Sequence, residues 1–175
     1  EKLLYIDTDI VVRADLAELY DIDLFGKAIG SSPNVANISA AYQNKEIRGQ
    51  KFGDYLRETL GITEFEKYFQ AGIVSLDMTH SKVRNLAALS ISKLRKIRKP
   101  IFFDQCIFNS IFYDDVQYFS TAWNHVWYLQ NYSHLKHHLR DDIFFDYAKG
   151  RLDPKIIHYA SGDKPTNKFD WKLSS

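Results

Sequence analysis

Apolar and polar positions divide the chain into strand-length and helix-length pieces. Leu3 to Ile6 and Ile10 to Val12 read as buried strand on either side of a polar tip, Asp7-Thr8-Asp9. Ala14 to Tyr20 has the spacing of a short helix with Asp15 in its first turn. Lys27 to Ser31 is a further strand candidate, and Asn34 to Gly49 is polar and without a clear period. Phe52, Tyr55, Leu56 and Leu60 mark a helix that stops at Gly61. Tyr68 to Leu76 reads as strand, with Gly72 inside it where a ligand or another backbone comes close. Val83, Leu86, Ala87, Ile91, Leu94 and Ile97 repeat at helical spacing until Pro100. A further helix opens with Asp104 as N-cap and carries Ile107, Phe108, Ile111 and Phe112 as its buried stripe. Val116 to Phe119 as a short strand, His138 to Ala148 as a helix and Lys155 to Tyr159 as a strand complete the order. Strands alternating with helices predict an α/β sandwich whose strand-end loops hold the ligand.

The 175 residues suit one domain, 1–175, because no linker, repeat or low-complexity segment interrupts them. A net charge of +1 supplies no field to draw in a polyanion, which argues against a nucleic-acid partner. The single cysteine, Cys106, forms no internal disulfide and fits a reducing, cytoplasmic setting. No apolar run approaches the ~20 residues that cross a bilayer. The chain opens on Glu1 and runs at once into a core strand, so the expectation is that a segment preceding it has been removed.

Two strings carry chemistry. In Asp7-x-Asp9 on an extended chain both carboxylates project to one side, where they suit a hard divalent cation, while Thr8 points away. The bland alternative is a turn cap beside a solvated carboxylate. The second string, Ile156 to Pro165, sets His158 in an apolar run followed by Gly162 and Lys164. Glycine permits a tight turn against a phosphate, lysine supplies a point charge, and imidazole with two carboxylates suits manganese. A packed core histidine is the alternative for His158. The basic residues Lys93, Arg95, Lys96, Arg98 and Lys99 read as the solvated face of a helix whose apolar stripe is buried, and His134, His137 and His138 as a surface cluster.

LYIDTDIVV, YFQAGIVSLD, FDQCIFN, Trp123-Asn124 and PKIIHYASGDKP follow one another in the order found in family 8 retaining glycosyltransferases, which the chain resembles from Lys2 to about Lys168. Members include bacterial lipopolysaccharide galactosyl- and glucosyltransferases and glycogenins. The resemblance implies a GT-A fold, here its carboxyl-terminal portion without the first strands. It also implies manganese (or magnesium) on Asp7, Asp9 and His158, with Gly162 and Lys164 on the diphosphate and Asp7 and Thr8 on the donor side. Asp104 would bond the donor sugar, Gln105 would lie near the anomeric carbon, and Gln70, Ala71 and Gly72 would line the sugar and acceptor side. This chain has Gln70 where the family usually has asparagine, Cys106 where it has aspartate, and Thr166 where tryptophan follows Lys-Pro. The family's strands before the acidic pair hold most uridine and ribose contacts, so these residues alone are expected to lack a complete base pocket.

The function so implied is hexose transfer from a UDP-sugar to a glycan or lipid-linked acceptor. Its setting would be bacterial cell-surface polysaccharide or lipopolysaccharide synthesis, in the cytoplasm, with peripheral contact at the inner face of the membrane through regions beyond these residues. Two other classes account for part of the pattern. A haloacid-dehalogenase-type phosphatase explains Asp7 and Asp9 but expects Gly-Thr rather than Ile10-Val11 after them, and a truncated sugar-binding domain would bind without turnover.

Overall fold

The computed structural model describes residues 1–127 and 133–160. Its strands are Lys2–Ile6 (β1), Ile10–Val12 (β2), Ile29–Ser31 (β3), Glu46–Ile47 (β4), Gln50–Lys51 (β5), Ile73–Asp77 (β6), Val116–Tyr118 (β7), His125–Val126 (β8) and Ile156–His158 (β9). The α-helices are Leu16–Tyr20 (α1), Val35–Tyr42 (α2), Phe52–Tyr55 (α3), Ser81–Arg84 (α4), Leu86–Ile97 (α5), Phe103–Phe112 (α6) and Asp141–Gly150 (α7). The main sheet runs β1-β6-β3-β7 and a smaller one β2-β9-β8, with β4 and β5 as a separate hairpin. Strand β6 is antiparallel to both β1 and β3, while β3 and β7 are parallel. The sheet is therefore mixed, and its ligand end gathers the carboxyl end of β1 with the amino end of β6.

Several boundaries differ from the sequence expectation for identifiable reasons. Asp15 is the N-cap of α1, its carboxylate accepting from Ala17 N, instead of a first-turn residue. Asp104 is not an N-cap: Phe102 holds that position, and Asp104 Oδ1 accepts from the next amide, Gln105 N, at 2.9 Å. The strand expected from Tyr68 begins only at Ile73, because residues 69 and 70 are pinned one by one, Phe69 by Asn109 and Gln70 N by Ser32 O. The ambiguous stretch from Asn34 holds α2, capped by Asn34 Oδ1, and the β4-β5 hairpin. The helix expected over 83–97 breaks at Asn85, and its apolar stripe is buried only at its ends: Val83 and Ile97 lie in the core, while Ile91 and Leu94 are 54% and 49% exposed.

The core packs α2, α3 and α7 with one face of α6. Phe52 sits at its centre, edge-on to Tyr68 at 5.8 Å and to Phe102 at 5.5 Å between ring centroids. Cys106 is buried in the same cluster, accepts from Phe102 N, and has its thiol pushed up by that burial. Gly53 is required where α3 crosses α2, because a Cβ there would stand 2.5 Å from Ala41 O.

One buried side chain ties α6 to the chain that leads into β6. Asn109 Oδ1 accepts from Phe69 N and its Nδ2 donates to Phe69 O, each at 2.9 Å. Asn109→Ala strands both backbone groups out of water and should lower unfolding stability by about 3 kcal/mol, measured by urea denaturation. His125 is buried against the Tyr147 ring, 5.7 Å between centroids, and burial, with a smaller push from Arg151, lowers its pKa below 6.5. The unfolded chain then takes up a proton that the folded one refuses, so stability is complete above pH ~6.5 and falls as the pH drops toward the folded value. In His125→Phe the stability curve should flatten over that acid window.

Candidate active site

The acidic pair leaves the end of β1, and the small sheet delivers the histidine to it. Antiparallel pairing of β2 with β9 sets Ile10 opposite His158, and Tyr159 N donates to Asp9 O at 2.8 Å. His158 Nε2 consequently lies 3.3 Å from Asp9 Oδ1 and 3.7 Å from Asp7 Oδ2. The three ligand atoms all fall within 4.8 Å of one another. Donors held ~2.1 Å from one ion stand roughly 3 to 4 Å apart, so the set fits a single small divalent cation. Two hard oxygens with an imidazole nitrogen suit manganese or magnesium.

Three neighbours pose these donors. Asn124 Oδ1 lies 2.9 Å from His158 Nδ1, and a carbonyl oxygen only accepts, so Nδ1 carries the proton and the Nε2 lone pair faces the aspartates. In this arrangement Asn124 Nδ2 is buried with no hydrogen-bond partner among the described residues. Tyr5, two residues before Asp7 on the same strand face, donates to Asp7 Oδ1 at 2.8 Å, and this bond to a carboxylate raises the phenol to about 12. Gly72 makes room for the ring: a Cβ there would stand 2.3 Å from His158 Cε1 and 2.9 Å from Asp7 Oδ2. The close approach expected at this glycine is thus made by a histidine ring, not by a backbone.

A cleft of about 360 Å³ opens over these groups, lined also by Gln70, Ala71, Gly72, Phe102, Asp104, Gln105 and Ala160. Gln105 is held at both ends of its amide, Oε1 accepting from Ala71 N at 3.4 Å and Nε2 donating to Tyr68 Oη at 3.2 Å. Gln70 is buried, with its backbone O accepting from Ser31 Oγ. Asp104 is exposed on the first turn of α6, and Thr8 is exposed in the bend between β1 and β2, outside the cleft lining. Gly162 and Lys164 lie outside the described residues. Asp7, Asp9, His158, Gln70, Ala71, Gly72, Asp104 and Gln105 therefore meet in one cleft.

Two lining residues carry no sequence expectation. Arg48 reaches in from the tip of the β4-β5 hairpin, and its guanidinium lies 4.9 Å from the centroid of the Phe103 ring. Phe103, 65% exposed, opens α6 with a φ of +44°, a left-handed conformation costing a bulky residue about 1–3 kcal/mol and concentrated at functional sites. The glycine of Arg48-Gly49 was the one available signal, a weak one because the two-residue hairpin turn favours asparagine, aspartate or glycine, not arginine, before it.

General stress protein A of Bacillus subtilis is 26% identical over 172 residues, which cover 95% of this chain and 53% of that protein. Glycosyltransferase GlyF of Streptococcus pneumoniae is 30% identical over 176 residues, covering 97% and 35%. The chain thus spans about half or a third of the length of these relatives. Among solved structures, the bifunctional glycosyltransferase WbbM superposes with a TM-score of 0.79 at 29% identity, over 94% of this chain and 29% of that one. The galactosyltransferase LgtC, solved with donor and acceptor sugar analogues, matches in fold with a TM-score of 0.69 at 23% identity, over 94% of this chain and 54% of its own. The fold is GT-A. With a family model described as glycosyl transferase family 8 matching residues 1–168, this chain belongs to that family.

Proposed function

We propose that the chain forms the metal-, diphosphate- and sugar-binding part of a retaining glycosyltransferase. It would move a hexose from a UDP-sugar to a glycan or lipid-linked acceptor in bacterial cell-surface polysaccharide or lipopolysaccharide synthesis. The observation that carries the reading is the meeting of Asp7, Asp9 and His158 within 4.8 Å at the floor of a cleft that also holds Gln105 and Asp104. Asp7, Asp9 and His158 would hold manganese or magnesium, which when bound supplies Lewis-acid neutralisation of the leaving diphosphate. Gly162 and Lys164 are assigned to the same diphosphate by the family pattern, with Thr8 beside it. A phosphatase of the haloacid-dehalogenase type would leave His158 and the α6 residues without a task.

The residues of the chain divide the remaining work. Asp104, exposed at the start of α6, bonds the donor sugar, and Gln70, Ala71 and Gly72 shape the wall behind it. Gln105 is a poor nucleophile, because the nitrogen lone pair of an amide is delocalised. Its Oε1 instead steadies the positive charge that grows at the anomeric carbon. The bond from that carbon to the phosphate oxygen breaks, the acceptor hydroxyl bonds to the same face, and its proton passes to the departing phosphate oxygen. Tyr68 and Ala71 keep the amide still while this happens. Among the described residues no helix is long and apolar enough to cross a membrane, and the proposed place of action is the cytoplasm, at the inner face of the membrane.

The full-length protein containing these residues should consume a UDP-sugar only with manganese or magnesium present. Asp9→Asn and His158→Ala should each lower manganese affinity about 100-fold or more by calorimetry. Absence of any UDP-sugar turnover in the parent, or unchanged metal affinity in both variants, would overturn the reading. Asn124→Ala removes only the partner that sets the ring. It should weaken manganese binding by about 10- to 100-fold, with turnover recovering as metal is raised to saturation.

A further inference from the structure

We propose that Arg48, seated on the ring of Phe103, recognises a carboxylate or phosphodiester on the acceptor, so that the glycan receiving the sugar is acidic. The inference rests on the glycosyltransferase reading above and adds the class of acceptor to it.

Arg48 and Gly49 are the two turn residues between β4 and β5, with φ of +51° and +76°. A tight turn of this kind fixes where its side chain begins, and an arginine at its first position is held in a conformation that asparagine or glycine adopts more readily. The guanidinium leans over Phe103, itself exposed and left-handed at the head of α6, so each strained residue supports the other across the mouth of the cleft. Among the described residues lining the cleft Arg48 is the one lysine or arginine, in company with the carboxylates of Asp7, Asp9 and Asp104. It makes no ion pair among the described residues. A guanidinium with one face on an aromatic ring keeps its N–H edge for an oxyanion, and the flat fork matches a carboxylate or phosphate.

With Asp7 and Asp9 assigned to the cation, Asp104 is the remaining cleft carboxylate that repels an entering anion, and Arg48, lining the same cleft, is placed to offset it. The donor's diphosphate is the other source of such an anion. In the proposed site the diphosphate already has a divalent cation, whereas Arg48 leans on Phe103, the residue preceding Asp104, which is proposed to bond the donor sugar.

The test uses the full-length protein carrying residues 1–175 and ligand-observed NMR titrations with glucuronate, glucose and dimethyl phosphate at constant ionic strength. Glucuronate or dimethyl phosphate should bind at least 10-fold more tightly than glucose. Arg48→Gln should bring the anions to the level of glucose, and Arg48→Lys should restore part of the preference. Equal binding of all three probes by the parent, or a preference that survives Arg48→Gln, would overturn the proposal. So would a 10-fold rise in KM for UDP-sugar in Arg48→Gln, because the guanidinium would then serve the donor. The titrations need no turnover, so a protein that consumes no UDP-sugar defeats the transferase reading while the anion preference is still read on its own.

Discussion

The pairing of β2 with β9 is the constraint on which the site depends. Side chains alternate along a strand, so a slip of one residue in this register would turn His158 away from both aspartates. Backbone bonds prevent the slip: Arg13 N to Lys155 O and Tyr159 N to Asp9 O flank the pair, and Trp127 N to His158 O ties the other edge. The ring so delivered fits only because position 72 has no side chain, and it points correctly because Asn124 Oδ1 accepts the hydrogen bond from its Nδ1–H. Strand register, a missing methyl and one amide thus act on a single imidazole.

The charges gathered there shape the energetics. Two carboxylates facing one imidazole nitrogen repel each other in a part-buried setting, and a bound divalent cation would turn that repulsion into binding energy available to the folded state alone. Tyr5 engages one oxygen of Asp7 and leaves the other for the shared centre. At the head of α6 the charge is reduced instead, because Cys106 places a neutral buried thiol where the family usually carries an aspartate. Cys106 packs with Tyr68, whose hydroxyl accepts from Gln105, so the aromatic core reaches the cleft lining through one phenol.

Much of this was legible in the sequence where side-chain type and period coincide. The apolar frame around Asp7 and Asp9, the run ending in His158 and the ordered blocks shared with the family announced both the fold and the cluster of donors. Helix α2 was hidden because its buried residues, Val35, Ile38, Ser39, Ala40 and Ala41, are mostly small or polar and give little apolar contrast. The cap at Asp104 was misplaced because a left-handed Phe103, which no propensity favours, opens the helix. The exposed Ile91 and Leu94 show that helical spacing reports a face without saying what covers it. Asn124, Asn109 and Arg48 act through contacts between residues far apart in the chain, and no local pattern encodes those.

The order of the strands along the chain has a consequence for how the molecule comes into being. During synthesis Asp7 and Asp9 emerge before β6, the neighbour their strand pairs with, while the imidazole follows later with β9, the last strand of the described residues. The larger sheet can close without it, so a cation gains its third protein donor only after most of the backbone is arranged. A metal held by these three residues would therefore act as a latch on sheets already paired, and not as the seed from which they grow.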